Sequence, residues 1–409
     1  MKTFILSLVI IFILFSETVQ SQWVSSYGGF VAAEALATSG NTIVTATHNN
    51  GMYATTDAGA NWVAASTGLP VASITYKLAY HGGDVIAVAD GNWGMYRSTN
   101  NGTSWTQSGF TGIWLTSIFI DGSNLFVGTN GNGVYLSTDN GTNWTQVNSG
   151  FGTQIGIWTF AKIGNNLFAG GGSSMGNGVF MTTDNGANWT RPANNGINAQ
   201  SMVTLSAIGN NLFAGTFSNG MLLSTDNGEN WTAINSGLTN MAIRSAIVVG
   251  NNLFVGTNGG GVYLTTDNGT SWTTQNTGLG YLFVYALSIC DSKLFAGGIG
   301  VWSRPLSDMI TSVEEIKGTN LPAEFSLQQN YPNPFNPTTN IGFQITNYGF
   351  VSLKIFDVLG KEIATLVNEN LSAGKFSVDW NAENVSSGLY FYKLSTEKYS
   401  ETKRMILMK

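Results

Sequence analysis

The chain has 409 residues, with 17 Lys and Arg against 23 Asp and Glu, which gives a formal net charge of −6 at pH 7. This acidic balance excludes the basic footprint of a nucleic-acid-binding protein. A single cysteine, Cys290, excludes an intrachain disulfide. The 51 glycines and the 12% of aromatic residues are typical of a chain built from short strands and tight turns.

Residues 1–21 have the pattern of a secretory signal peptide. Lys2 supplies the positive charge, and residues 4–15 are apolar apart from Ser7. Val19 and Ser21 then precede the predicted cleavage position at Gln22. The apolar run is shorter than the roughly 20 residues that span a bilayer. We therefore expect a removed signal rather than a retained anchor, and no integral membrane protein.

One eight-residue segment is repeated six times along the chain. Residues 137–144, Ser-Thr-Asp-Asn-Gly-Thr-Asn-Trp, are a typical copy, and the tryptophans lie 39 to 45 residues apart. A fixed spacing of this length predicts an array of one structural unit. The acidic or amide position and the tryptophan of the six copies are Asp57 and Trp62, Asn100 and Trp105, Asp139 and Trp144, Asp184 and Trp189, Asp226 and Trp231, and Asp267 and Trp272.

The residues between two tryptophans predict four short strands. Residues 118–120, 125–128, 134–136 and 144–147 are apolar runs that are separated by turn-forming residues. Four antiparallel strands in about 40 residues are the blade of a β-propeller.

The two ends of the repeat region complement each other. Trp23 begins a fourth strand with no strands before it, whereas residues 281–289, 293–297 and 301–304 supply three strands with no fourth. We therefore predict an all-β fold in which residues 22–306 form a seven-bladed β-propeller closed by the strand at Trp23. Such closure leaves no open edge between the first and last blades.

The repeated segment resembles the Asp-box (BNR) repeat of sialidases, sortilin-type receptors, xyloglucanases and photosystem assembly factors. Its Asp accepts hydrogen bonds from N–H groups of its own turn, and its Gly allows a positive φ. The Trp is expected to pack between sheets. One copy per blade spreads the carboxylates around the rim, so we predict a structural role rather than catalysis or calcium binding.

A ligand site is expected on the opposite face of the ring, near the axis. Aligning the blades places one residue of each innermost strand at the same position, and Lys77 and Trp93 of the second blade lie nearby. The aligned residues are Glu34, Tyr76, Thr116, Trp158, Val203, Arg244 and Tyr285.

Glu34, Arg244 and Tyr285 come from neighbouring blades of the closed ring. They predict either a ligand-binding or glycosidase-like group or a Glu–Arg salt bridge that fills the channel, and the salt bridge is favoured. The sialidase arginine triad has no counterpart here.

We therefore expect a non-catalytic binding or structural module for glycan or protein ligands, with Glu34, Tyr76, Lys77, Trp93, Trp158, Arg244 and Tyr285 as candidate ligand-binding residues. The alternative is an extracellular glycoside hydrolase that uses Glu34, Arg244 and Tyr285. The two histidines belong to different loops, and no motif predicts a metal or a cofactor.

The pattern changes after residue 306. Residues 307–322 are predicted to be a linker, and residues 323–409 carry about seven alternating strands with glycine turns. This spacing predicts a small Ig-like β-sandwich.

The sandwich closely resembles the type A C-terminal sorting domain of type IX secretion cargo. The matching segments are residues 331–335 (Tyr-Pro-Asn-Pro-Phe), 354–361, 386–390 and 403–409. The resemblance implies Sec export to the periplasm, passage through the outer-membrane translocon, and removal of the domain by a sortase-like peptidase, with the product released or tethered to the cell surface. The sorting-signal residues that it implies are Lys354, Gly360, Gly388, Lys403, Arg404 and Lys409.

Overall fold

The structure is a computed structural model that describes most of the chain from Gln22 to Lys409. The described ranges are 22–27, 32–48, 50–70, 75–89, 93–152, 155–171, 178–197, 201–310, 313–315, 325–346, 349–371, 374–396 and 399–409. The predicted signal peptide, residues 1–21, and the side chain of Tyr76 lie outside the described residues. Within those ranges the regular structure is β-strand apart from one 3-10 helix, Leu306–Asp308, which confirms the all-β prediction.

The first 27 strands build seven sheets. In chain order they are β1 (Val24–Tyr27), β2 (Ala33–Ser39), β3 (Thr42–Thr47), β4 (Gly51–Thr55), β5 (Val63–Ala64), β6 (Thr75–His81), β7 (Asp84–Ala89), β8 (Met95–Ser98), β9 (Thr106–Gly109), β10 (Leu115–Asp121), β11 (Asn124–Thr129), β12 (Val134–Ser137), β13 (Thr145–Gln146), β14 (Ile157–Ile163), β15 (Asn166–Gly171), β16 (Gly178–Thr182), β17 (Met202–Ile208), β18 (Asn211–Thr216), β19 (Met221–Ser224), β20 (Thr232–Ala233), β21 (Ile243–Val249), β22 (Asn252–Thr257), β23 (Val262–Thr265), β24 (Thr273–Thr274), β25 (Val284–Cys290), β26 (Lys293–Gly298) and β27 (Gly300–Pro305).

Consecutive strands pair with each other in six of the seven sheets. We number these sheets as blades: blade 1 is β2–β5, blade 2 is β6–β9, blade 3 is β10–β13, blade 4 is β14–β16, blade 5 is β17–β20 and blade 6 is β21–β24. Blade 7 combines β25, β26 and β27 with β1 from the other end of the chain. In that sheet Val24 lies opposite Ser303 and Ser25 opposite Trp302 in an antiparallel ladder.

The first strand of each blade is its innermost strand, and these seven strands surround an axial channel. Each innermost strand packs against the innermost strand of the next blade, and β25 of blade 7 packs against β2 of blade 1. The ring is therefore closed. The second strands are buried on both faces because each sheet lies between two others. Their phenylalanines at one repeated position are fully buried: Phe126, Phe168, Phe213, Phe254 and Phe295.

Blade 4 departs from the four-stranded prediction. Its outer strand is reduced to a single bridge between Met181 and Thr190. Pro192 follows two residues later, and its ring restricts Arg191 and removes a backbone N–H. The ladder therefore stops after one pair.

The boundary after the propeller also differs from the prediction. The chain does not leave the propeller at residue 306, since Ile310 is buried in a cluster with Trp23 and Phe254. The predicted linker, residues 307–322, contains the helix Leu306–Asp308 and a strand, β28 (Val313–Glu315). That strand extends a sheet of the C-terminal domain, because Val313 pairs with Val378.

The C-terminal domain has two four-stranded sheets around one core. After β28 its strands are β29 (Ser326–Leu327), β30 (Thr338–Ile345), β31 (Gly349–Phe356), β32 (Glu362–Leu371), β33 (Gly374–Asn381), β34 (Gly388–Thr396) and β35 (Ser400–Leu407). The sheet orders are β28-β33-β30-β29 and β32-β31-β34-β35. Phe343, Leu353 and Tyr392 are fully buried between the sheets. This arrangement is a β-sandwich.

Candidate functional site

The repeated Asp turns connect the third and fourth strands on one face of the propeller. In the copy at residues 137–144, Asp139 Oδ1 accepts a hydrogen bond from the Asn143 backbone N–H at 2.8 Å and one from the Ser137 hydroxyl at 2.8 Å. Asp139 Oδ2 accepts one from Asn143 Nδ2 at 2.7 Å. The residue after the Asp has a positive φ, 58° at Asn140. The carboxylate is thus fully used in holding its own turn.

The carboxylates of the turns are held in their ionised form. Hydrogen bonds from side-chain and backbone donors lower the pKa of Asp57, Asp139 and Asp184 to about 2, and they lower the pKa of Asp226 as well. At Asp267 burial is the largest single influence and raises the pKa. The hydrogen bonds together outweigh it, so the pKa of Asp267 is also lowered. A group that is ionised at all physiological pH values is a poor general acid.

Asn100 replaces the Asp of blade 2 and keeps the turn. Its Oδ1 accepts from the Ser104 backbone N–H at 2.9 Å, as the aspartates do. Its Nδ2 donates to the Ser104 hydroxyl at 2.8 Å, which reverses the direction of the second hydrogen bond. The turn therefore needs hydrogen bonds and not a negative charge.

The tryptophans of the repeat join turns to neighbouring sheets. The indole N–H of Trp105 donates to the Ala65 carbonyl, that of Trp189 to Val147, and that of Trp272 to Ile234, each on the preceding blade. Trp62, Trp144 and Trp231 instead donate to a glycine carbonyl of their own turn. Both arrangements make the tryptophan a structural residue.

The opposite end of the innermost strands holds the candidate ligand residues. Each of the seven strands has a register shift at one position, which marks an unpaired bulge residue. The bulge residues are Glu34, Tyr76, Thr116, Trp158, Val203, Arg244 and Tyr285, the same set that the sequence alignment places at one position. Bulges re-aim side chains and are frequent beside functional sites.

Charged side chains of the bulges gather in one half of the channel mouth, formed by blades 6, 7, 1 and 2. Arg244 lies between two rings, with its guanidinium carbon 5.1 Å from the Tyr285 centroid and 5.6 Å from that of Phe217. Glu34 pairs with His48, at 3.6 Å between Oε1 and Nδ1. The favoured Glu34–Arg244 salt bridge is therefore wrong, because the rings hold the guanidinium beyond ion-pair distance of the carboxylate.

The charges of this half nevertheless act on one another. Burial raises the pKa of Glu34, and the positive charges of Arg244 and His48 partly oppose that rise. Burial also lowers the pKa of Lys77, and the like charge of Arg244 lowers it further. Glu34, Lys77 and Arg244 are partly buried and lie close enough to influence one another, although they come from three different blades.

The other half of the channel mouth is neutral. The Thr116 hydroxyl donates to the Ile157 carbonyl of the next blade. Val203 packs against the blade 5–6 core beside Ile243. Trp158 is partly buried. Among the described residues of the channel mouth, charged groups thus lie in the half formed by blades 6, 7, 1 and 2.

An exposed apolar rim borders the charged half. We give the name apolar rim to Phe217, Tyr281, Leu282 and Phe283, which are 49%, 51%, 41% and 42% exposed. Phe283 lies 6.4 Å from Tyr285 between ring centroids, and Phe217 contacts Arg244, so the rim continues into the channel. The Leu282 carbonyl accepts from the backbone N–H of Gly261 at 2.8 Å, which holds the loop while its side chains stay exposed.

Sequence reasoning missed the apolar rim. It assigned residues 281–283 to an inner strand, whereas β25 begins at Val284. The sequence did contain a signal for the rim, because three large apolar residues follow the glycines at 278 and 280. A loop at that position has no second sheet to bury such side chains, so they stay exposed. Trp93, a predicted ligand residue, is 36% exposed on the loop of blade 2. No cluster of three metal-ligating side chains occurs within the described ranges.

The predicted sorting residues lie on the second sheet of the sandwich. Lys354 pairs with Glu362 at 2.8 Å and Lys403 with Glu401 at 3.2 Å. Gly360 occupies a turn with φ 78°. The last residue is anchored, because the Lys409 backbone N–H donates to the Ser387 hydroxyl at 3.0 Å. Gly388 and Arg404 lie on the paired strands β34 and β35.

Comparisons with known proteins found one family match in the C-terminal domain and one in the propeller. Residues 329–408 match the family of the secretion system C-terminal sorting domain. The chain carries a type IX sorting domain. This domain indicates export to the cell surface or secretion. The described residues include no helix with the length and hydropathy to cross a bilayer. Residues 158–283 match the DUF6242 beta propeller domain.

Solved structures share the propeller fold at low sequence identity. "YCF48 bound to D1 peptide" is 15% identical, covers 69% of this chain and 96% of its own, and has a TM-score of 0.55. YCF48 from Cyanidioschyzon merolae is 14% identical, with coverages of 69% and 98% and a TM-score of 0.51. The GH74 xyloglucanase from Xanthomonas campestris is 15% identical, with coverages of 79% and 59% and a TM-score of 0.53. No curated protein matches the sequence.

Proposed function

We propose that the propeller is a non-catalytic module that binds an extracellular ligand at the mouth of its channel. The apolar rim carries this proposal. Large apolar side chains that stay exposed together mark interaction sites on soluble proteins, and aromatic residues dominate the binding energy of such sites. The Asp turns on the opposite face offer no comparable surface, because their carboxylates are already hydrogen-bonded.

A binding role agrees with the propellers of similar fold. The structure of YCF48, which has a similar fold, is of that protein bound to D1 peptide. Because the sequence identity is only 15%, the similarity shows a shared fold and not a shared ligand. Glycan and protein ligands both fit a rim of exposed aromatic rings beside polar loops.

Glycoside hydrolysis is the weaker alternative. A raised pKa at Glu34 suits a general acid. The reaction needs a second carboxyl about 5–9.5 Å away. The seven innermost strands contain one other carboxylate, Asp121. It ends β10, about 16 Å along the axis from the level of Glu34 at about 3.3 Å per residue, and it is paired with Lys162.

The test uses residues 22–409 on glycan and peptide arrays, together with a hydrolysis screen. We expect saturable binding without turnover, and a loss of binding in Phe217→Ala and Phe283→Ala. Val63→Ala is the matched control, because Val63 is 63% exposed on the outermost strand of blade 1. Turnover that disappears in Glu34→Gln would replace this proposal by the hydrolase.

A further inference from the structure

We propose that the charged half of the channel mouth binds a carboxylate of the ligand through the Arg244 guanidinium and the Lys77 ammonium. The inference rests on the proposed function and narrows it to acidic ligands. It follows from two cations that have no acceptor among the residues that the structure describes.

Arg244 is the first of these cations. Its only contacts with charged or aromatic groups are the rings of Phe217 and Tyr285, and it makes no hydrogen bond or ion pair with any residue in the described ranges. A guanidinium has five N–H donors in a planar fork that matches a carboxylate. The two rings hold this fork in place, and its donors have no acceptor within the described ranges. Arg244 is therefore a pre-positioned donor.

Lys77 is the second. It follows the bulge residue of β6, and it has no hydrogen-bond or ion-pair partner in the described part of the chain. Arg244 is close enough to disfavour its charged form. A cation that is both desolvated and repelled by a neighbour gains most from an anion placed between the two. A bound carboxylate would offset both the desolvation of the Lys77 ammonium and its repulsion by Arg244.

Glu34 limits the charge of the ligand. The charged half of the channel mouth holds two basic side chains and one carboxyl group, Glu34, which pairs with His48 and interacts with Arg244. A ligand with a single carboxylate suits this arrangement better than a phosphate dianion, because a second negative charge would approach Glu34. Glu34 also repels ligands that place a second negative charge near blade 1.

The apolar rim determines where the rest of the ligand lies. Phe217 contacts Arg244, and Phe283 lies beside Tyr285. A carboxylate held by Arg244 and Lys77 thus places the group attached to it against these rings. Both the C-terminal carboxylate of a peptide and a uronic acid at a glycan end supply this chemistry, and paired probes separate them.

The experiment titrates residues 22–409 by calorimetry at pH 7 with two pairs of probes. N-acetylphenylalanine is compared with its amide, and glucuronate is compared with glucose. We expect at least one acid to bind, its neutral counterpart to bind at least tenfold more weakly, and the pair that responds to identify the source of the carboxylate. Because charge-assisted hydrogen bonds are lost, Arg244→Gln and Lys77→Met should each weaken acid binding by about 10- to 100-fold.

Two matched variants control for charge and folding. Arg191→Gln removes an arginine that lies 6.0 Å from the Phe180 ring on blade 4, and Lys162→Met removes an inner-strand lysine at the opposite end of the channel. Neither should change acid binding. If acid and neutral probes bind equally well and Phe217→Ala loses this binding, the carboxylate assignment is overturned and the proposed function stands. Acid binding that survives Arg244→Gln, or no binding of either acid at 10 mM or so, would also overturn it.

Discussion

Val24 lies opposite Ser303 in the antiparallel ladder that joins the first strand of the chain to the last strand of the propeller. Next to this pair, Trp23 is 2% exposed, and its indole N–H donates to the Gln275 carbonyl of blade 6 at 2.5 Å. Trp23 and the strand that follows it therefore connect the last two blades.

Trp23→Ala should destabilise the whole propeller, because it opens a cavity at the closure and removes a buried hydrogen bond. Replacement of a buried Trp by Ala costs about 3–5 kcal/mol. Urea unfolding followed by tryptophan fluorescence measures the change. Trp93→Ala is the control, since that indole is partly exposed, and it should change stability by less than about 1 kcal/mol. Equal effects of the two substitutions would contradict a closing role for Trp23.

Asp139→Ala should lower the thermal unfolding midpoint by more than Asp139→Asn does. Alanine leaves the Asn143 backbone N–H and the Ser137 hydroxyl without their acceptor. Asparagine keeps one acceptor oxygen, as Asn100 does in blade 2. Differential scanning calorimetry gives the order. A larger loss for asparagine than for alanine would show that the charge itself is needed.

Acid should destabilise the propeller between about pH 4 and pH 2. The pKa values of Asp57, Asp139 and Asp184 are lowered to about 2 in the folded chain from an ordinary value of 3.8. A lowered pKa contributes stability above the unfolded value, and that contribution is lost as the pH falls towards the folded value. Unfolding midpoints recorded from pH 7 to pH 2 test this, and Asp139→Asn should show a smaller loss below pH 4 than the parent chain does.

Glu34→Gln should stabilise the protein at pH 7 and have little effect below pH 4. Burial raises the pKa of Glu34 above 4.5 in the folded chain, so the unfolded chain ionises first as the pH rises. The carboxylate therefore costs stability above that pH, and glutamine removes the cost. Urea midpoints at pH 3.5 and pH 7 give the comparison. Destabilisation at pH 7 would mean that the His48 contact outweighs the burial.

Deletion of residues 403–409 should leave the protein in the periplasm, because it removes most of β35 and the basic end of the sorting domain. Immunoblots of periplasmic and extracellular fractions measure the distribution. Met405 and Leu407 are buried, so the deletion also damages the core. Met405→Ala, which disturbs that core but keeps the charged residues, separates folding from recognition. Normal secretion of the deletion would contradict a sorting role for this segment.

Much of the fold was predictable because it depends on local repetition. The spacing of Trp105, Trp144 and Trp189 gave the blade length, and the Asp turn between the third and fourth strands uses hydrogen bonds within five residues of Asp139. Alignment of the blades placed Glu34 and Arg244 at one position of the innermost strands; that this position is a bulge came only from the structure. The sequence also predicted that the strand after Trp23 pairs with the strand at Val301, and the ladder joins Tyr27 to Val301.

The charged half of the channel mouth was only partly predictable. Sequence alignment brought Glu34, Arg244 and Tyr285 to one level of the channel, but opposite charges alone suggested a salt bridge. In the structure, Arg244 is held by Phe217 from a loop of blade 5, a contact with no periodic signal. The linker was mispredicted for a similar reason, since β28 exists only through its partner strand β33.

The sequence by itself determined the repeat, the closing strand and the sorting domain, because each depends on patterns within a few tens of residues or on a composition that recurs. Tertiary structure alone decided which described groups of the channel mouth lack partners. That outcome depends on angles and distances between side chains of five blades, and a shift of an ångström or two separates a salt bridge from a guanidinium held between two rings.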